Sequence, residues 1–213
     1  MLLPDLRQMV LECAQRASRA GLVAATSGNY SSVDRKSGLF AITPTNYDYD
    51  LMKVEDVVVL DLDGRVAEGR LKPSSEYQMH ALIYRRRADV GAVVHTHSPY
   101  ATAFAALGRE IPAVLIEIAV AAGGSIPVAP FELPGTEALG RSALDHIGDR
   151  KAVLLANHGV LALGADLSEA LNIALWVEDT ARIAHLAMAI GVPKNLPSEL
   201  VRRLRASAQS GSK

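Results

Sequence analysis

Ala92-Val93-Val94-His95-Thr96-His97-Ser98 is the stretch on which the reading of this chain turns. The run from Gly91 to Thr96 is apolar and rich in β-branched residues, the pattern of a buried strand. Residues two apart on a strand point to the same side, so His95 and His97 share one face. Their Ala-Val-Val support is rigid, and both imidazoles can reach one ion. A second apolar run, Leu154-Leu155-Ala156-Asn157-His158-Gly159, ends in a third histidine beside a glycine that permits a tight turn.

Three neutral imidazoles suit zinc, with a fourth position left for substrate or water. Cobalt, nickel and manganese accept similar donors. The plainer alternative is three hydrogen-bonded histidines at strand ends, because spacing alone does not bring His158 to the pair. His80, His146 and His185 fall inside predicted helices, where facing solvent or core is the simpler reading.

Outward from these strands the pattern is mixed. Helices are expected over residues 3–20, 75–87, 99–107, 136–147, 168–190 and 196–205. Ser168 is the expected cap of the long helix. Strands are expected over 39–43, 56–62, 91–96, 126–130, 151–156 and 160–163, with a hairpin turn at Asp63-Gly64. Residues 25–32 read as a small polar stretch. This points to a single α/β domain over residues 1–205, a sheet covered by helices on both sides, without a regular βαβ repeat. Residues 206–213 read as a flexible C-terminal tail.

The chain has 213 residues, 49% of them hydrophobic and 21% charged, with a formal net charge of −1. That composition can bury a core, and it carries no basic excess for nucleic acid. Arg85, Arg86 and Arg87 read as the solvated end of a helix. Cys13 is the one cysteine, so no disulfide can form within the chain, and it fits an apolar helix face. No stretch is long and apolar enough to span a bilayer, and no cleavable signal is evident, so a cytoplasmic location is expected. No segment matches a P-loop or dinucleotide fingerprint.

Lys72-Pro73-Ser74-Ser75-Glu76 opens a helix, with Ser74 or Ser75 as cap and backbone N–H groups free to meet a phosphate. An ordinary helix cap explains it equally well. Thr26-Ser27-Gly28-Asn29 and Thr43-Pro44-Thr45-Asn46 are small hydrogen-bonding stretches that fit turns or sites alike.

Taken together these pieces resemble the class II aldolase/adducin family, which includes sugar-phosphate aldolases and epimerases. The matching segments are TSGNYS at 26–31, TPTN at 43–46, KPSSE at 72–76, HTHS at 95–98, AAGGSIP at 121–127 and NHG at 157–159. The likeness spans about residues 6–190. It implies a three-layer sandwich with a mainly antiparallel central sheet. It also implies a zinc-dependent aldehyde-lyase that cleaves a ketose 1-phosphate, of the L-fuculose 1-phosphate kind, to dihydroxyacetone phosphate and an aldehyde. A methylthioribulose-phosphate dehydratase and a pentulose-phosphate 4-epimerase are the alternatives. By match, His95, His97 and His158 hold the metal with Glu76, which is also the acid/base. Gly28, Asn29, Thr45, Asn46, Ser74 and Ser75 would hold the phosphate.

Two departures stand out. Asn46 replaces a glycine common among the aldolases, and the tyrosines expected before AAGG and in the tail are missing. Glu117 takes the first tyrosine's place and becomes the candidate second proton donor. The family forms homotetramers with sites near subunit boundaries, so the same is expected here. None of the six lysines sits in a setting suited to imine chemistry.

Overall fold

The computed structural model describes residues 1–210, with side chains to 207. Its strands are β1 (Asn29–Asp34), β2 (Leu39–Ile42), β3 (Val58–Asp61), β4 (Val66–Glu68), β5 (Ala92–Thr96), β6 (Val128–Ala129), β7 (Ala152–Leu155) and β8 (Gly159–Gly164). They form one eight-stranded sheet in the order β4-β3-β2-β1-β5-β8-β7-β6. Only the β6–β7 pair is parallel. The helices are α1 (Pro4–Arg19), α2 (Tyr77–Arg86), α3 (Pro99–Ala106), α4 (Ile116–Ala121), α5 (Glu137–Ile147), α6 (Leu167–Ile190) and α7 (Ser198–Ser210).

Strand alternation builds the layers. On β5, Ala92 and Val94 join a core with Val10 and Ala14 of α1, Phe104 of α3, Ile118 of α4 and Leu171 and Val177 of α6. Val93, between them, faces Met79 and Ile83 of α2 and Leu139 and Ala143 of α5. Both faces of the sheet are therefore buried, and β5 and β8 read as continuous apolar runs for that reason. Cys13 lies in the first of these cores, as its helical spacing suggested, and burial pushes its thiol up to about 12.

The architecture is the expected single α/β unit with a mostly antiparallel sheet between two helical layers. Several elements differ from their sequence-based bounds. β1 lies where a polar stretch was read. Its outward parity carries Asn29 and Ser31, which are buried rather than solvated, so the alternation signal is inverted. α4 interrupts the apolar run 111–122, which is too short to declare its period. The long helix starts at Leu167, capped by Asp166 accepting from Glu169 N at 2.8 Å, and not by Ser168. The last helix continues past 205 to Ser210, and the remaining residues of the expected tail, 211–213, lie outside the described residues. No helix among the described residues is long and apolar enough to cross a membrane.

Three strand ends meet at one edge. β5 pairs with β1 on one side, Asn29 opposite His95, and with β8 on the other, Thr96 opposite Val160. The β7–β8 turn brings His158 alongside. Gly159 makes this approach possible, since a Cβ there would stand 2.3 Å from Thr96 O and 3.3 Å from His95 Cε1. Beyond the strand, α3 is anchored by Glu178 of α6, whose carboxylate accepts from the backbone N–H groups of Tyr100 and Ala101 at 3.0 and 2.9 Å. That replaces a side-chain cap, which Ser98 does not provide. A Gly159→Ala variant is expected to lose about 1–3 kcal/mol of stability through this overpacking. Chemical denaturation checks it, and an unchanged midpoint would show that Thr96 and the turn are free to part.

Candidate metal and catalytic site

His95 lies on β5, His97 one residue beyond its end, and His158 in the β7–β8 turn, where Asn157 adopts the left-handed conformation at φ 56°. The three ring centroids are 4.7–4.9 Å apart. One ligand atom from each ring lies within 4.8 Å of the others. The distant stretch carrying His158 therefore converges on the HxH pair.

His95 Nδ1–H donates to Val160 O at 2.9 Å, which fixes the tautomer and leaves a lone pair on Nε2. That Nε2 is 3.0 Å from His97 Nε2 and 3.2 Å from Glu76 Oε2. Glu76 Oε1 is 3.3 Å from His158 Nε2 and has no hydrogen-bond partner although it is buried. A buried lone pair facing a buried carboxylate repels unless a positive charge lies between them. Burial lowers the His95 pKa to about 3 against the pull of Glu76, and burial followed by repulsion from His158 lowers that of His97. Protons are thus a poor source of that charge near neutrality. Burial pushes the Glu76 carboxyl up, but His95, His158 and an Asn29 N–H outweigh it and hold the group below its usual range. Three imidazole nitrogens beside an ionised carboxylate are the donor set of a divalent transition-metal ion.

Glu76 occupies the N-cap position of α2, and its own N–H is accepted by Ser74 Oγ at 3.3 Å. Gly28, Asn29, Thr45, Asn46, Ser74 and Ser75 line one cavity of about 180 Å³ together with Glu76, His97 and His158. Among the described residues, no lysine or arginine lines it. Its glycine loop is held from behind by Tyr49, whose hydroxyl donates to Gly28 O at 2.7 Å and to Ser27 O at 3.1 Å. Asn46 has φ 51°, a left-handed position that glycine or asparagine tolerates. A larger hollow of about 650 Å³ lies elsewhere, beside Trp176 and Lys151, and contains none of the histidines.

Glu117 stands apart. It is exposed on α4, forms no hydrogen bond or ion pair, and does not line the cavity of its own chain. His146 and His185 are exposed on their helices. His80, on the core side of its helix as one of the two expected outcomes, is fully buried and held in a polar chain. Its Nε2 is 2.6 Å from Asn29 Oδ1, and its Nδ1 is 2.6 Å from Ser31 Oγ. The signal available in the sequence was the spacing of Glu76, His80 and Tyr84, four residues apart on one helix.

Two measurements probe this cluster. The purified protein is expected to carry roughly one transition-metal ion per chain by elemental analysis, lost in His95→Ala. Metal-free protein should lose stability in acid. The folded values of His80 and His95 lie at about 4 and about 3, below the roughly 6.5 of an unfolded histidine. The unfolded chain therefore takes up more protons below pH ~6.5, and this stability, complete above that pH, is lost as pH falls toward 4. Thermal unfolding of chelator-treated protein should give a lower Tm at pH 5 than at pH 7, and equal values would contradict neutral burial of these rings.

Comparison with known proteins agrees with this geometry. Residues 8–185 match the model of the class II aldolase and adducin N-terminal domain. A 5-deoxy-D-ribulose 1-phosphate aldolase of Bacillus thuringiensis serovar kurstaki is 44% identical over 204 residues, covering 96% of this chain and 95% of the relative. A 5-methylthioribulose-1-phosphate/5-deoxyribulose-1-phosphate aldolase of Rhodospirillum rubrum is 39% identical, covering 93% of this chain and 89% of that protein. A solved structure titled L-fuculose 1-phosphate aldolase superposes with a TM-score of 0.92 at 39% identity, covering 98% of this chain and 97% of its own. The chain belongs to the class II aldolase and adducin N-terminal domain family.

Proposed function

We propose that this chain is a divalent-metal-dependent aldolase that cleaves a ketose 1-phosphate between C3 and C4, releasing dihydroxyacetone phosphate and an aldehyde. The observation that carries the reading is Glu76, a buried carboxylate within 3.2 and 3.3 Å of two convergent imidazoles and open to a cavity lined by hydroxyls and amides. An ion held by His95, His97 and His158, zinc being the best match to the donors, would supply Lewis acidity toward the ketose oxygens.

The chain's own groups divide the remaining work. Gly28, Asn29, Thr45, Asn46, Ser74 and Ser75 bind the phosphate through neutral hydrogen-bond donors, since no cationic side chain lines the cavity. In the cleavage direction a base takes the proton from the C4 hydroxyl, the C3–C4 bond breaks, and its electron pair passes into the C2–C3 enediolate. Glu76, ionised in the resting site, first takes up a proton from solvent and delivers it to C3, while the C4-hydroxyl proton leaves through the second group; the reverse reaction returns both. Glutamate, where the family's epimerases carry aspartate, favours this chemistry over epimerisation.

The proton of the C4 hydroxyl needs a second group. Glu117 would take this role from a neighbouring copy, since on α4 it does not line the cavity of its own chain. Exposed Ile116 and Val120 on the same helix support a subunit contact there, in keeping with a homotetramer.

The names of the two relatives favour an aldehyde half without the hydroxyl that L-fuculose 1-phosphate provides. 5-Deoxyribulose 1-phosphate, which releases acetaldehyde, becomes the preferred substrate. The Rhodospirillum relative's name couples a methylthioribulose skeleton to aldol cleavage, which favours cleavage over dehydration of that sugar.

A panel assay decides among these. Coupled detection of dihydroxyacetone phosphate should show cleavage of 5-deoxyribulose 1-phosphate ahead of L-fuculose 1-phosphate. Glu76→Gln should lower kcat by about 10²- to 10⁴-fold while the protein stays folded. Turnover at the wild-type level in that variant would remove Glu76 from the reaction. Retention of the whole carbon chain in the product would replace the aldolase with a dehydratase or an epimerase.

A further inference from the structure

Behind Glu76 runs a line of buried polar groups, of which the proposed chemistry uses only Asn29. Asn29 Nδ2–H donates to Glu76 Oε2 at 2.9 Å. Asn29 Oδ1 meets His80 Nε2 at 2.6 Å, His80 Nδ1 meets Ser31 Oγ at 2.6 Å, and Ser31 Oγ meets the Tyr84 hydroxyl at 2.6 Å. Asn29, Ser31, His80 and Tyr84 are all buried. Two periods in register produce the line. Asn29 and Ser31 are two apart on β1 and share a face, while Glu76, His80 and Tyr84 succeed one another at four-residue intervals along α2. A two-residue step on a strand, roughly 6.6 Å, nearly equals a four-residue step on a helix, about 6 Å. The two rows therefore interleave.

The direction of every bond follows from one end. An ionised Glu76 is an acceptor only, so Asn29 must present its N–H to it and its Oδ1 to His80. His80 is then the Nε2–H tautomer. Burial keeps this ring neutral, with a pKa lowered to about 4. Its Nδ1 accepts from Ser31 O–H, and Ser31 accepts from Tyr84 O–H. A reversed carboxamide would set Oδ1 against the carboxylate, and the fixed imidazole N–H opposes that flip.

We propose that His80 is a positioning residue, which acts through Asn29 to lock the carboxamide in the one orientation that holds the Glu76 carboxylate in place for proton transfer. It rests on the aldolase reading above for its kinetic consequence, but the hydrogen-bond direction stands independently of any substrate.

Two readouts test it. In the metal-loaded enzyme, His80→Phe should lower kcat on 5-deoxyribulose 1-phosphate about 10- to 100-fold with KM within about twofold, the scale seen when a supporting hydrogen bond is lost. His80→Gln, which keeps an N–H for Asn29, should recover most of that loss. Wild-type kcat in His80→Phe, or equal losses in the two variants, overturns the proposal. Should His80→Phe fail to fold, Tyr84→Phe decides: a lower kcat at unchanged KM supports the chain, and an unchanged kcat overturns it. Independently, nitrogen-15 NMR of histidine-labelled wild-type protein at pH 7 should show His80 neutral, protonated at Nε2 and bare at Nδ1. An Nδ1–H tautomer or an imidazolium overturns the proposal whatever the kinetics. If the wild type cleaves no ketose 1-phosphate, the aldolase reading has failed, and the tautomer alone decides the chain.

Discussion

A carboxylate and a bare imidazole nitrogen, both buried, face each other at 3.2 Å at the floor of the cavity, and much of the surrounding structure serves to hold them there. Left alone, such groups would part or take up a proton. Here neither escape is open. His95 is tied through Nδ1 to Val160 O, and its buried ring resists protonation. Glu76 is tied through Asn29 and sits at the head of a helix packed into the core. A divalent cation held between them would relieve that repulsion, and burial would then favour metal binding.

The frame is the β1–β5–β8 ribbon. Antiparallel register places Asn29 opposite His95 and His95 opposite Leu161, so three strands share responsibility for one imidazole. β7 and β8 add His158 through a turn whose glycine lies almost against Thr96 O. The loops that line the cavity are held from outside the histidine cluster. Tyr49 grips the carbonyls of Ser27 and Gly28, and Ser74 N donates to Thr43 O at 3.0 Å. The histidine cluster is thus held by paired strands, and the cavity-lining loops by contacts from outside it.

Much of this was readable from residue order. Apolar runs identified β5, β7 and β8, and a period of two put His95 and His97 on one face. Six short motifs in register, none specific alone, indicated the family and the layered α/β architecture. Where the reading fell short, the reason was physical. β1 buries polar residues toward α2, so its alternation mimics a polar loop. α4 is six residues long, below the length at which helical period declares itself. His80 looked like any helical histidine because its partners, Asn29 and Ser31, lie about fifty residues away in sequence.

Sequence by itself determined the chemical inventory: three imidazoles, one carboxylate at the head of a helix, small loops rich in hydroxyls and amides, and the departures at Asn46 and Glu117. Only tertiary structure decided which of these meet. It brought His158 to the strand pair, set Glu76 between the rings, left Glu117 outside the cavity of its own chain, and aligned a strand row with a helix row into one hydrogen-bonded line. Local order sets which way a side chain points along its own element. Contact between distant elements depends on strand register and helix placement, which follow from how the whole core packs.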